Sequence, residues 1–478
     1  MFFPTGSRPP QGTYLHYLVT TYFPDYLEEL RGEGRELPDF VLTDVQEFLS
    51  CGDIKTRYAT LECLQCTTRR NICLRCKRRG WCPPCMEFRQ MDRTRFVQQR
   101  VIGDTPIRQW VLTLPPPLRI YLAFHPRLVT MVLRQFLTFI FQQLAKAAKK
   151  CLRKRGITAK VRFLKAGAVT AIQRFSTDLS LNLHFHSLVT DGVFVKLPTD
   201  DSPWFLEISV SSKDVAEVAM KICRWTCNLL KRDGRWEAVH EASNTNFPTV
   251  TGHLTLGDNP PALHRFCGVA SDQETDRPVG RDGIYAFNVY ARDSVRRGDR
   301  KNLRRLIRYI LSPPFTNEQL RPDPDSANHL FVDLKRPMLD GTETIRLTLR
   351  QFFNRLVWAT PRPRANLLRF HGVYASNAAL REEVVPAELP APAPAPSPDD
   401  GPDDYEAWGE LQSHTFPSNL RRCHRCGGRM KLVALKSDRI LYRRRSGKPP
   451  DDPEKAASSI IYLHKAARRA ATDGRQPA

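Results

Sequence analysis

The stretch Leu181–Gly192, LNLHFHSLVTDG, sets two histidines two residues apart inside an otherwise apolar run. Successive strand residues alternate faces, so His184 and His186 project together with Asn182 and Leu188. Leu183, Phe185 and Val189 then face a core. The preceding VRFLKAGAVTAIQRF reads as a partner strand, with Ser176–Thr177–Asp178 as the turn of an antiparallel hairpin. Two imidazoles side by side on a rigid strand make half of a divalent-metal site. H-x-H alone is weak evidence, because paired core histidines bonded to backbone are common. Gln173 on the partner strand is the candidate third ligand. Pairing Gln173 with Asn182 would put it on the histidine face, and a one-residue slip would reverse that.

Outward from the hairpin, YLHYLVTTYFPDYLEELRG reads as an amphipathic helix near the start. WVLTL reads as a strand that Pro115–Pro116–Pro117 ends, and a long helix follows from about Pro126 to Arg155. DGIYAFNVYARDS is a further strand candidate. HLFVDLKRPMLDGTETIRLTL reads as a hairpin turning at Asp340–Gly341. VVPAELPAPAPAPSPDDGPDD is a proline-rich linker. No run of about twenty apolar residues suggests a membrane span, and no secretory signal is visible. The expected fold class is α+β.

The chain has 478 residues, with 73 Lys and Arg against 50 Asp and Glu, a net charge of +23. Such an excess attracts polyanions, nucleic acid first among them. The odd total of 13 cysteines, without an export signal, points to metal or free thiols and away from a disulfide framework. CLQCTTRRNICLRCKRRGWCPPC holds three CxxC pairs: Cys63/Cys66, Cys73/Cys76 and Cys82/Cys85. Two such pairs supply four thiolates for tetrahedral Zn2+. The first choice is Cys63, Cys66, Cys82 and Cys85, with Cys73 and Cys76 spare or shared, and a second zinc is the alternative. In the tail, Cys423 and Cys426 supply half a site, which His414, His424 or another chain could complete. A half-site remnant is an equal reading.

LRRLIRYILSPP places Tyr309 near the end of a basic helix that Ser312–Pro313–Pro314 must stop. Leu303, Ile307 and Ile310 form its buried stripe, with Tyr309 beside it on the side of Leu306. Arg304, Arg305 and Arg308 surround the tyrosine. An interfacial core tyrosine is the usual reading. The chemical one is a nucleophile whose phenolate neighbouring cations favour.

The motifs FLSCGDIKTRYATLECLQC, AVTAIQRF, LNLHFH with SLVTDGVF, RRGDRKNLRRLIRYILSPPF, RFHGVYASNAALREEVVP and CHRCGGRMKLVAL occur in this order. With them the chain resembles the transposases of the Insertion Sequence 91 family, rolling-circle transposases of the HUH (His-hydrophobe-His) class. The resemblance implies an antiparallel-sheet endonuclease core flanked by helices and preceded by a zinc-binding cysteine-rich domain. It also implies a catalytic Mg2+ or Mn2+ on His184 and His186, and Tyr309 as nucleophile. Some relatives carry two tyrosines four residues apart; here Arg305 stands four before Tyr309, the single-tyrosine form, and Tyr285 and Tyr290 lie outside the helix. Cys73 is not expected of the family.

The expected organisation is a helical and cysteine-rich region over 1–100, an endonuclease domain over 101–383, a linker over 384–408 and a small basic region over 409–478. The expected partner is DNA, as single-stranded ends of a mobile element, tracked by Arg304, Arg305, Arg308, Arg362, Arg364 and Arg369. The expected location is the bacterial cytoplasm, with the nucleoid. The rival readings are a plasmid replication initiator or relaxase with the same chemistry, and a non-catalytic zinc-dependent DNA-binding protein.

Overall fold

In the computed structural model, residues 10–235, 287–338, 340–385 and 422–437 are described. The proline-rich linker, Tyr285, His414 and the basic YRRRSGK lie outside them.

From the N-terminus come α1 (Tyr14–Gly32) and α2 (Asp39–Leu49), then the hairpin strands β1 (Arg57–Cys63) and β2 (Arg69–Cys73), and α3 (Pro83–Val97). Next are β3 (Ile107–Thr113), α4 (Pro116–Phe124), α5 (Pro126–Lys154), β4 (Leu164–Lys165), β5 (Gly167–Phe175) and β6 (Leu181–Thr190). Then follow β7 (Gly192–Val195), β8 (Trp204–Glu207), α6 (Ser212–Arg232), β9 (Asn288–Tyr290) and β10 (Ser294–Val295). The tyrosine helix is Arg300–Ile310. Strands β11 (Leu320–Pro322), β12 (His329–Asp333) and β13 (Thr344–Thr348) lead into a helix, Leu349–Ala359. Finally β14 (Leu368–Gly372) and β15 (Met430–Ser437) complete the sheets.

The central sheet runs β10-β3-β6-β5-β14, with β9 also paired to β3, and every pairing is antiparallel. Its histidine strand, β6, therefore has a neighbour on both sides. The two sheet faces bury against different helices. Trp110, Leu112, Leu183, Phe185 and Val189 pack in one core with the apolar stripes of α5 and α6. Ile107, Val169, Ala171 and Leu188, on the histidine face, pack with Leu303, Ile307 and Ile310 of the tyrosine helix and Val97 of α3. The alternation read from the sequence thus becomes two cores, one per face.

α5 is long and apolar enough, by length and composition, to cross a bilayer. The sequence reading expects no such run. In the fold the helix lays its apolar residues from Leu128 to Leu152 into the sheet core. The proline run ends its strand as expected and has a second role. It closes β3 but opens α4, because the fixed φ of proline suits the first turn of a helix.

The hairpin register departs from the pairing considered above. Gln173 lies opposite His184, not Asn182. A bulge between Gln173 and Phe175 and a turn closed by Ser176 N–H donating to Ser180 O set this offset. The shift is two residues, so Gln173 keeps the histidine face. The turn itself is held by Arg355, which donates to Asp178 O and ion-pairs with the Asp178 carboxylate at 3.5 Å.

A third core gathers α1, α2 and Trp81 with Phe315, Leu330, Val332, Phe352 and Phe353. The N-terminal helices thus share their apolar interior with β12 and the helix Leu349–Ala359.

Candidate functional site

His184 and His186 stand side by side, ring centroids 4.8 Å apart with planes at 70°. The Nδ1–H of His184 donates to Asn182 O at 2.9 Å, which leaves Nε2 carrying its lone pair. His186 Nδ1 lies 2.9 Å from the Gln109 side-chain amide of β3. Gln109 Oε1 is buried without a partner. Turning that amide over lets His186 Nδ1–H donate to Oε1, and both rings then present Nε2 as ligands. Burial pushes the His184 pKa down to about 4. It pushes His186 well down too, with His184 and Arg336 adding to the effect. Both imidazoles are therefore neutral near pH 7, the form that binds metal.

Tyr309 meets this pair. Its ring stands edge-on to His186, with centroids 5.6 Å apart and planes at 83°. Arg336, just after β12, places its guanidinium carbon 4.9 Å from the centre of the tyrosine ring. Gln173 Nε2 donates to Ile310 O at 2.9 Å, which ties the last turn of the tyrosine helix to the histidine sheet. Lys335 donates to Pro313 O just beyond that turn. Asp299 caps the other end of the helix by accepting from Asn302 N–H.

The polar surroundings suit a hard cation. Asn182 shares the histidine face of β6, and Asn288 lies opposite Thr113, itself opposite His184. Asn182 Oδ1 and Asn288 Oδ1, like Gln109 Oε1, are buried without hydrogen-bond partners. With the Gln109 oxygen taken by His186, the two remaining oxygens, on Asn182 and Asn288, are costly to bury unless a cation or its waters satisfy them.

The arginines divide. Arg304, Arg305 and Arg308 lie exposed on the outer side of the tyrosine helix, and Arg304 Nε donates to Gln98 Oε1 at 3.2 Å. Arg362 and Arg364 are exposed in the loop before β14. Arg369 is half-buried, and its guanidinium is held by Asn366 O and Thr130 Oγ1 of α5, on the sheet face away from the histidines. Tyr290 lies on β9, two strands from His186, and its hydroxyl donates to Asp293 at 3.2 Å.

The cysteines do not assort as expected. Cys63 and Cys66 are not gathered with Cys82 and Cys85. One group is Cys51, Cys76, Cys82 and Cys85; the other is Cys63, Cys66, Cys423 and Cys426. The reason is strand geometry, since β1 and β2 carry Cys63 and Cys66 to the far end of their hairpin from Cys82, the N-cap of α3. Cys73 sits in β2, half-buried, in neither group. In the first group the sulfurs of Cys51, Cys76 and Cys82 lie 3.6 Å from a neighbour in the set. A tetrahedron with Zn–S near 2.3 Å has edges of about 3.8 Å. This group therefore fits Zn2+, which would add a cross-link between α2, the CxxC turn and α3.

Sequence reasoning missed Gln109, Arg336 and Cys51. Cys51 stands inside the quoted FLSC motif but has no CxxC partner, so spacing alone gave it no weight.

A family model for transposases, Y2_Tnp, matches residues 167–381, from β5 through the tyrosine helix to beyond β14. The transposase zinc-binding domain of the Insertion Sequence 91 type matches residues 18–114, which contain Cys51, Cys76, Cys82 and Cys85. No curated protein and no solved structure matches the chain. The two matched regions together take in the histidine hairpin, the tyrosine helix and the cysteine block, and the chain belongs to the transposases of the Insertion Sequence 91 family.

Proposed function

We propose that this transposase nicks and rejoins single-stranded DNA with Tyr309 as its nucleophile. The observation that carries the reading is the edge-on approach of the Tyr309 ring to His186, at 5.6 Å between centroids. A divalent cation, Mg2+ or Mn2+, held by His184, His186 and the remaining oxygen of Gln173, would supply polarisation of a non-bridging phosphate oxygen.

The chain's own groups do the rest. The tyrosine oxygen attacks phosphorus in line, a new O–P bond forms, and the P–O3′ bond breaks. The phenolic proton is released and a proton ends on the departing 3′-oxygen. The products are a 3′-hydroxyl and a 5′-phosphotyrosine. Arg336 over the ring favours the developing phenolate. Gln173 holds the tyrosine helix at its last turn, so the nucleophile and the imidazoles keep one geometry. Because the phosphotyrosine link conserves the phosphodiester energy, rejoining is the same reaction run backward and needs no nucleotide triphosphate. No GxxxxGK[ST] phosphate loop occurs in the sequence, in keeping with that. The exposed Arg304, Arg305, Arg308, Arg362 and Arg364 would follow the phosphate backbone.

The test is incubation of the full chain with labelled single-stranded DNA carrying an element end, with Mg2+ or Mn2+, followed by a denaturing gel. A covalent adduct should form with the native protein and vanish in Tyr309→Phe. An adduct of undiminished yield in Tyr309→Phe would assign the nucleophile elsewhere. His184→Ala and His186→Ala should each lose adduct formation without losing DNA retention.

A further inference from the structure

We propose that Cys63, Cys66, Cys423 and Cys426 form a second Zn2+ site, built by the two ends of the chain and separate from the zinc-binding region that the family defines. The matched zinc-binding domain ends at residue 114, so it contains only half of these ligands.

The two half-sites are the same structure made twice. Cys63 N–H donates to Thr68 O at 3.0 Å, and Cys423 N–H donates to Gly428 O at 2.7 Å. Thr67 N–H donates to Cys63 O, and Gly427 N–H donates to Cys423 O. Gln65 N–H points at Cys63 Sγ at 3.5 Å, and Arg425 N–H points at Cys423 Sγ at 3.4 Å. Thr67 and Gly427, each just after the second cysteine, both adopt left-handed backbone, with φ of 55° and 71°. Such a turn aims both sulfurs of a CxxC pair to one side and offers backbone N–H groups to thiolates.

The two turns then face each other. Cys63 Sγ lies 3.5 Å from Cys426 Sγ, Cys66 Sγ lies 3.6 Å from Cys423 Sγ, and Cys66 and Cys426 are 3.3 Å apart. These separations are far above the roughly 2.05 Å of a disulfide and near the edge of a zinc–thiolate tetrahedron. The close approach leaves little room at Gly428, where a Cβ would meet Gln65 Oε1 at 2.6 Å and displace that side chain, and would meet Cys63 Sγ at 3.1 Å. Next to the turns, β15 pairs with β1 from Cys63↔Met430 to Arg57↔Ser437. The tail thus becomes the third strand of the β1–β2 hairpin, in the order β15-β1-β2.

All-sulfur donors select a soft, tetrahedral cation over Mg2+ or Mn2+. Arg70, Arg422, Arg425 and Arg429 stand close in sequence to the four cysteines, whose charge with zinc bound would be −2, and Arg69 pairs with Glu62. Among the described residues, the ribbon is therefore completed by a strand far along the chain from β1, and the metal would join the two.

Metal counting on the full-length protein tests this. Native protein should hold two zinc ions per chain, and Cys423→Ser/Cys426→Ser should hold one. Cys73→Ser should keep two. Replacement by Co2+ should give the intense thiolate-to-metal absorption of tetrahedral sulfur sites, halved in the double variant. Trypsin supplies a readout that is independent of metal content. With zinc, cleavage at Arg422, Arg425 and Arg429 should be slow, and it should become fast in the double variant. Gly428→Val should mimic the double variant in both readouts. A zinc content that Cys423→Ser/Cys426→Ser leaves unchanged, or equal tail cleavage in both proteins, would each overturn the proposal.

Discussion

The two cysteine clusters have the same donors and opposite surroundings. Cys51, Cys76, Cys82 and Cys85 are all buried inside the core that α1, α2, Trp81 and Phe353 share. Around Cys63, Cys66, Cys423 and Cys426 the ribbon buries little beyond Ala59 and Ile72 among the described residues, and Cys426 is exposed. The first cluster sits in a structure that apolar burial already supports. The second stands in a three-stranded ribbon too thin to hold itself, so the metal would supply the folding free energy there.

The largest expected effect follows from that difference. Apparent zinc-binding free energies in small metal-folded modules are about 10–16 kcal/mol, and in the ribbon little else opposes unfolding. A chelator should therefore release the ribbon zinc first and expose the amides of β1 and β15 to hydrogen exchange. The amides of α1 should stay protected under the same treatment. Simultaneous loss of protection in both regions would mean that the two clusters share one cooperative unit.

Trp81→Ala inverts the test. Trp81 is fully buried, edge-on to Phe23 at 5.3 Å, and its Nε1–H donates to Thr360 Oγ1 at 2.9 Å. Removing it should cost about 3–5 kcal/mol in denaturant titration. The ribbon should keep its zinc and its exchange protection, because Trp81 belongs to the other core.

How much of this was legible in the sequence depends on range. The histidine face, the turn at Ser176–Asp178, α5 and the stripe Leu303–Ile307–Ile310 are encoded by neighbours a few residues apart, and periodicity reads them directly. The register was off by two residues because a bulge leaves no periodic mark. The tyrosine and the histidines could be expected to meet only through the family resemblance, since more than a hundred residues separate them. The assortment of cysteines was illegible for the same reason. Spacing identifies half-sites, but nothing local says that the half-site at Cys423 closes on Cys63 and not on a neighbour.

A smaller effect is expected where the histidine hairpin turns, a region without cysteines. Burial raises the Asp178 pKa, but Arg355 and the hydroxyls of Ser176 and Ser180 outweigh it and hold the carboxyl below its usual value. A depressed carboxyl contributes stability that is complete above its unfolded value near 3.9 and disappears as pH falls through the lower folded value. Arg355→Met should cost about 2 kcal/mol at neutral pH. This is less than the 3–5 kcal/mol of a fully buried pair, because the Asp178 side chain is 20% exposed. It should also flatten the acid limb of the stability curve below pH 4. An unchanged acid limb would remove Asp178 from the account of how the hairpin is held.

The smallest predicted effect bears on whether the first cluster speaks to the proposed catalytic site at all. Cys82 caps α3, and further along that helix Gln90 donates to Arg308 O of the tyrosine helix at 2.6 Å. From the other side, Gln98 donates to Arg300 O at 3.0 Å. The ribbon has no such contact with the tyrosine helix among the described residues. Gln90→Ala removes one hydrogen bond and should cost about 1 kcal/mol of stability. If the α3 contact positions Tyr309, adduct formation should fall several-fold in Gln90→Ala, with the yield on saturating DNA reduced and DNA affinity unchanged. Cys423→Ser/Cys426→Ser should leave that yield intact on a short oligonucleotide. An equal loss of adduct in both variants would mean that the ribbon also acts on the proposed nucleophile, and the contrast between a cluster joined to the tyrosine helix through α3 and one that joins β15 to β1 would no longer stand.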